Sequence, residues 1–115
     1  LMIFLEGGGA CNSEFCSATE VAAPGIPSRG ILNPEFPNNP ATDFNVAYLP
    51  YCDGSVFSGD TDYDDDEDGV IDRHHRGLKN LSASIDVIAS TFPAPARILL
   101  TGNSAGGFGT DYMLP

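Results

Sequence analysis

Basic residues are scarce in this 115-residue chain: Lys and Arg number 5 against 16 Asp and Glu, giving a formal net charge of -11. Nucleic-acid binding draws on a basic face that displaces counterions from phosphates, so a nucleic-acid partner is excluded on charge, and an anionic membrane surface is disfavoured for the same reason. No apolar run approaches the roughly 18–20 residues of a membrane span. No basic stretch precedes a short apolar segment in the manner of a secretory leader. The triple glycine Gly7-Gly8-Gly9 has neither GxGxxG spacing nor a GK[ST] ending, which argues against a phosphate cradle. The length bounds the chain to one domain, smaller than most α/β enzymes. It opens on Leu1-Met2-Ile3-Phe4-Leu5 and closes on Met113-Leu114-Pro115, and so reads as a piece of a longer polypeptide.

A hydrophobic fraction of 42% is enough for a packed core. Leu1 to Leu5 is a continuous apolar run ended by glycines, the mark of a strand buried on both faces. Asn12 or Ser13, with Glu14 in the first turn, predicts a short helix to about Ala22. Recurring prolines and asparagines from Pro24 to Pro40 predict an irregular excursion. Asn45 to Leu49 is a second strand candidate, stopped by Pro50. Leu78, Leu81, Ile85, Ile88 and Phe92 recur at helical steps, predicting an amphipathic helix from about Gly77 to Thr91. Arg97 to Thr101 is a third strand candidate, running into Gly102-Asn103-Ser104-Ala105-Gly106-Gly107 with a further helix behind it. Strand and helix alternate, which is the pattern of an α/β fold with a central, mostly parallel sheet and flanking helices.

Gly102-Asn103-Ser104-Ala105-Gly106 fits GxSxG in the strand-to-helix context that gives the motif meaning. A serine on so sharp a turn sits in strained backbone, and side chains two residues to either side would strike neighbouring elements, so both places need glycine. Ser104 is then a candidate nucleophile. The backbone N–H of Ala105, with those of Gly8 and Gly9, would stabilise an oxyanion. An ordinary αβ turn is the competing reading.

Leu5-Glu6-Gly7-Gly8-Gly9-Ala10-Cys11, then Tyr48-Leu49-Pro50-Tyr51-Cys52-Asp53-Gly54-Ser55-Val56, then Arg76-Gly77, then Thr101-Gly102-Asn103-Ser104-Ala105-Gly106-Gly107 resemble the successive signatures of the pectin acetylesterase family, which includes the Notum-type carboxylesterases. The resemblance implies a partial α/β-hydrolase domain over residues 1–115, Ser104 as nucleophile, and an ester substrate such as an acetylated polysaccharide. It also implies that Cys11 and Cys16 close a small loop behind the oxyanion turn, with Cys52 left to a partner elsewhere. Free buried thiols are the alternative. Gly9 stands where many family members carry a large aromatic.

In this fold the triad acid and histidine follow the serine. Beyond Ser104 the chain offers only Asp111 as an acid and no histidine. His74 and His75 precede the helix, beside the acidic segment, and fit a solvated or ion-paired feature better than a catalytic base. These residues therefore hold the nucleophile half of a serine esterase.

Eight of the 16 acids lie between Asp60 and Asp72, so one segment sets the charge. It is predicted to be a loop. Asp64, Asp66, Asp68, the Val70 carbonyl and Asp72 alternate as in a calcium loop, with Gly69 at the sixth place and Ile71 as an apolar anchor. The twelfth place is His75 where a bidentate glutamate is usual. A structural Ca2+ in the weak extracellular range is one reading and a solvated acidic loop the other. A calcium loop and a disulfide would together favour secretion. The rival to an esterase is a non-catalytic calcium-binding α/β module, in which the glycines serve packing alone.

Overall fold

The computed structural model describes residues 1–12 and 14–114. Along the chain run β1 (Met2–Leu5), β2 (Gly9–Cys11), β3 (Cys16–Ala18), a 3-10 turn at Gly30–Leu32, β4 (Val46–Leu49), β5 (Thr61–Tyr63), β6 (Arg73–His75), α1 (Gly77–Thr91), β7 (Leu99–Gly102) and α2 (Ala105–Asp111). β1 lies between β4 and β7 in a parallel sheet, with Leu5 beside both Leu49 and Gly102.

All four residues of β1 are buried, as its unbroken apolar run demands. One face, Ile3 and Leu5, packs with Leu49, Tyr51, Phe57, Leu81 and Ala105. The other face, Met2 and Phe4, is covered by Leu32 and Ala41. The proline-rich excursion thus supplies a lid for the sheet although it has almost no regular structure. Burying each such aliphatic side chain contributes about 1.5–3 kcal/mol.

The helix expected over residues 12 to 22 does not form. β2 and β3 make an antiparallel hairpin there, with Cys11 opposite Cys16. The Asn12 side chain does not cap a helix. Its Oδ1 accepts the N–H groups of Glu14 (2.9 Å) and Phe15 (2.8 Å), closing a turn, and the Cys11–Cys16 disulfide clamps the arms. Ser13, the other expected cap, lies outside the described residues. The acidic segment also differs from a plain loop: β5 and β6 pair antiparallel and carry residues 64–72 at their tip.

α1 spans Gly77–Thr91 as its periodicity predicts, but the stripe is unevenly covered. Leu81 is buried, Ile88 and Phe92 are half-buried, and Leu78 and Ile85 are exposed. An open apolar groove of about 660 Å³ runs between α1 and the edge strand β4. No described helix is long and apolar enough to cross a membrane.

Candidate active site

Ser104 stands on the turn between β7 and α2 with φ 51° and ψ -121°, a conformation that an L-residue adopts only under constraint. The side chain is exposed above the end of the sheet. The constraint comes from its glycines. A Cβ on Gly106 would lie 2.0 Å from the Leu5 carbonyl oxygen, and one on Gly102 would lie 2.4 Å from the Gly106 carbonyl oxygen. The absence of those atoms lets the elbow press against the end of β1, where the Asn103 N–H donates to the Leu5 carbonyl at 3.1 Å.

The glycine run after β1 meets this turn. A Cβ on Gly7 would fall 2.7 Å from Ser104 Cβ, so the two loops are in backbone contact. Gly8 follows, hemmed in by Thr19 and Tyr51, and Gly9 enters the hairpin at φ +85°. The Gly9 carbonyl accepts the Tyr51 hydroxyl at 3.0 Å, and that hydroxyl in turn accepts the Val56 N–H at 2.8 Å. Among the described residues, the N–H groups of Gly8 and Ala105 donate to no acceptor. Free donors beside an exposed, strained serine are what acyl transfer requires.

The hairpin is fixed from below. A Cβ on Gly54 would strike Cys11 Sγ at 2.6 Å, so the disulfide rests on the Asp53-Gly54-Ser55 turn. Asp53 accepts the Ser55 hydroxyl (2.7 Å) and the Arg76 N–H (3.0 Å), which ties the start of α1 to the same turn. A Cβ on Gly77 would lie 2.1 Å from Ser55 Oγ, which explains the Arg-Gly pair. Replacing Cys11 and Cys16 together by serine should cost about 2 kcal/mol, the loop-closure value for so short a ring. Chemical unfolding of oxidised wild type against the double variant measures it.

Glu6 was not singled out by the sequence, yet among the described residues it joins more of the site than any other side chain. Its carboxylate accepts the Gly7 N–H (2.8 Å) and Asn103 Nδ2 (2.7 Å) on one oxygen, and the Tyr48 hydroxyl (2.8 Å) and Arg29 Nη2 (2.5 Å) on the other. Burial pushes this carboxyl up, but the bonds from Arg29, Tyr48 and Gly7 outweigh it and hold the group below its ordinary value. Burial and the adjacent Glu6 carboxylate push the Tyr48 phenol up to about 12. The available signal was an acid placed directly between an apolar run and a glycine run.

No histidine or carboxylate among the described residues hydrogen-bonds to Ser104. His74 pairs with Asp62 through Nδ1 at 2.8 Å. His75 departs from the solvated or ion-paired expectation: it is buried, edge-on to Tyr63, because its strand turns it inward.

In the acidic tip, one carboxylate oxygen each from Asp64, Asp66 and Asp72 lie within 4.8 Å of one another. Asp68 is not in that group. Its Oδ1 accepts the Val70 N–H at 2.8 Å. Asp64 accepts the Gly69 N–H at 2.8 Å, and Asp72 accepts that of Asp65 at 2.7 Å. Ile71 is exposed and does not anchor the loop, since the hairpin holds the tip away from the sheet. Arg73 pairs with Asp65, Arg76 with Asp60 and Asp62, and Lys79 of α1 with Asp60, so part of the charge is neutralised from within the ribbon and from the start of α1. These hydrogen bonds lower the carboxyls of Asp62, through His74 and Arg76, and Asp65, through Arg73.

The sequence profile of the pectinacetylesterase family matches residues 1–114. The chain belongs to the pectinacetylesterase family. Pectin acetylesterase 4 of Arabidopsis thaliana is 32% identical to it over 120 residues, covering 95% of this chain and 29% of that protein. Pectin acetylesterase 5 of the same plant is 32% identical over 117 residues, covering 92% of this chain and 27% of its own length. The chain therefore spans under a third of these curated relatives. No solved structure matches it at a significant level. For this pectinacetylesterase-family chain, the matched region carries both the glycine loop and the serine elbow, the two elements that the sheet brings into contact.

Proposed function

We propose that the full-length protein is a serine carboxylic-ester hydrolase of the α/β-hydrolase fold that removes acetyl groups from a polysaccharide such as pectin. The observation that carries this is the backbone of Ser104, held at φ 51° by glycines that admit no side chain against β1. Strain of this kind persists where the surroundings enforce it, and here they hold an exposed serine against the glycine loop that carries unpaired N–H donors. Ser104 Oγ attacks the ester carbonyl carbon. The resulting oxyanion is met by the N–H groups of Ala105, Gly8 and Gly9, and collapse expels the sugar hydroxyl and leaves an acetyl-serine that water hydrolyses to acetate. The proton passes through a histidine oriented by an acid; no histidine or carboxylate among the described residues hydrogen-bonds to Ser104. Covalent labelling of the full-length protein by a fluorophosphonate at Ser104, with acetate release from acetylated pectin, tests the reading.

A structural Ca2+ in the acidic tip is a second and separate reading, favoured by the convergence of Asp64, Asp66 and Asp72. Asp68 and the Val70 carbonyl would complete the oxygen set at 2.3–2.6 Å, distances typical of calcium. Calorimetric titration should then give a saturable heat with a Kd of about 10⁻⁴–10⁻³ M. Asp64→Asn with Asp66→Asn should abolish it. Absence of heat at millimolar Ca2+ removes the hypothesis. Secretion follows from the same reading, supported by the Cys11–Cys16 disulfide.

A further inference from the structure

We propose that Glu6 is a positioning residue that locks the serine elbow to the oxyanion loop, an inference that rests on the reading of Ser104 as nucleophile. Glu6 immediately follows β1, and its side chain is only 12% exposed. A carboxylate offers about four acceptor sites and no donor. Four donors reach it here, from Gly7, Asn103, Tyr48 and Arg29.

The division between its two oxygens gives the inference its content. Oε1 takes the Gly7 N–H and the Asn103 side-chain amide. Asn103 immediately precedes Ser104, and Gly7 is the residue whose backbone abuts Ser104 Cβ. One atom therefore ties the nucleophile turn to the loop that carries the Gly8 and Gly9 donors, through charge-assisted bonds roughly twice as strong as neutral ones. Occupying the Gly7 N–H also leaves oxyanion donation to the residues after it. Oε2 faces the other way, to Tyr48 on β4 and to Arg29 in the proline-rich excursion, and holds the carboxylate still. Glu6 acts through Asn103 and Gly7 and not on the ester itself. A catalytic group misplaced by about 1 Å loses on the order of 100-fold in rate, and that sets the expected scale.

The test uses the full-length protein, with kcat and KM on 4-nitrophenyl acetate and thermal midpoints for every variant. Glu6→Ala should lower kcat on the order of 100-fold with KM within about threefold. Glu6→Gln keeps an acceptor for Gly7 and Asn103 and should recover roughly tenfold of that loss. Asn103→Ala breaks the same bond from the elbow side, should reproduce the loss in kcat, and carries the test if Glu6→Ala does not fold. Asn103→Ala within about threefold of wild type, or Glu6→Gln as impaired as Glu6→Ala, overturns the proposal. Hydrolysis that survives Ser104→Ala overturns the underlying reading of Ser104 instead, so the two failures are told apart.

Discussion

Ser104→Ala in the full-length protein should lower kcat for an activated acetyl ester by a factor on the order of 10⁴ to 10⁶, and fluorophosphonate labelling should vanish with it. The size of the effect follows from covalent catalysis. The hydroxyl supplies the bond that forms, and the surrounding N–H donors can only assist a reaction that then has no nucleophile beyond water. Thermal stability should hold or rise, because the φ of 51° and ψ of -121° cost roughly 1–3 kcal/mol for any residue bearing a Cβ, and alanine is no more strained there than serine. The 115 residues alone should give no serine-dependent turnover, since no described histidine or carboxylate hydrogen-bonds to Ser104. Turnover by the isolated chain that Ser104→Ala removes would show that a base had been overlooked.

The glycines around the elbow should divide sharply. Gly106→Ala places a Cβ 2.0 Å from the Leu5 carbonyl oxygen and 2.4 Å from its carbon, both backbone atoms of the central strand. Neither can yield without opening the sheet, so the variant should lose about 3 kcal/mol or more and a Tm shift of roughly 10 °C. Gly107→Ala, one position along, meets only the Gly102 carbonyl oxygen at 3.9 Å. It replaces a flexible residue inside a helix and should be neutral or stabilising by about 0.5–1 kcal/mol. Scanning calorimetry of the two variants decides the matter, and equal behaviour would mean that the elbow does not bear on β1 as described.

Much of this arrangement was legible beforehand, and the failures have physical causes. Apolar runs and helical spacing located β1, β4 and α1 because burial on both faces or on one stripe leaves a direct periodic record. GxSxG located Ser104 because the steric demand on Gly102 and Gly106 is written as missing side chains. The hairpin of β2 and β3 was hidden because Asn12 serves a helix cap and a tight turn equally well, and only the pairing of Cys11 with Cys16 decides between them. The inward turn of His75 escaped notice because strand register across an exposed acidic ribbon leaves no hydrophobic pattern to read. Glu6 escaped for a different reason: its partners come from positions as far apart as Arg29 and Asn103, and a hub of that kind has no local signature.

The parallel sheet places β1 between β4 and β7, and the bond from Asn103 to Glu6 spans 97 positions of sequence. The strand at the centre of this sheet is therefore synthesised well before its second neighbour. Closing so long a loop is an entropic cost met only when β7 emerges, which makes folding slow by contact order. Until β7 pairs, the chain exposes one flank of a fully apolar strand, and the Ser104 turn has no β1 backbone to press against. Pairing of β7 with β1 and formation of the strained Ser104 turn are thus one event, and a stalled or truncated product lacking β7 would be aggregation-prone.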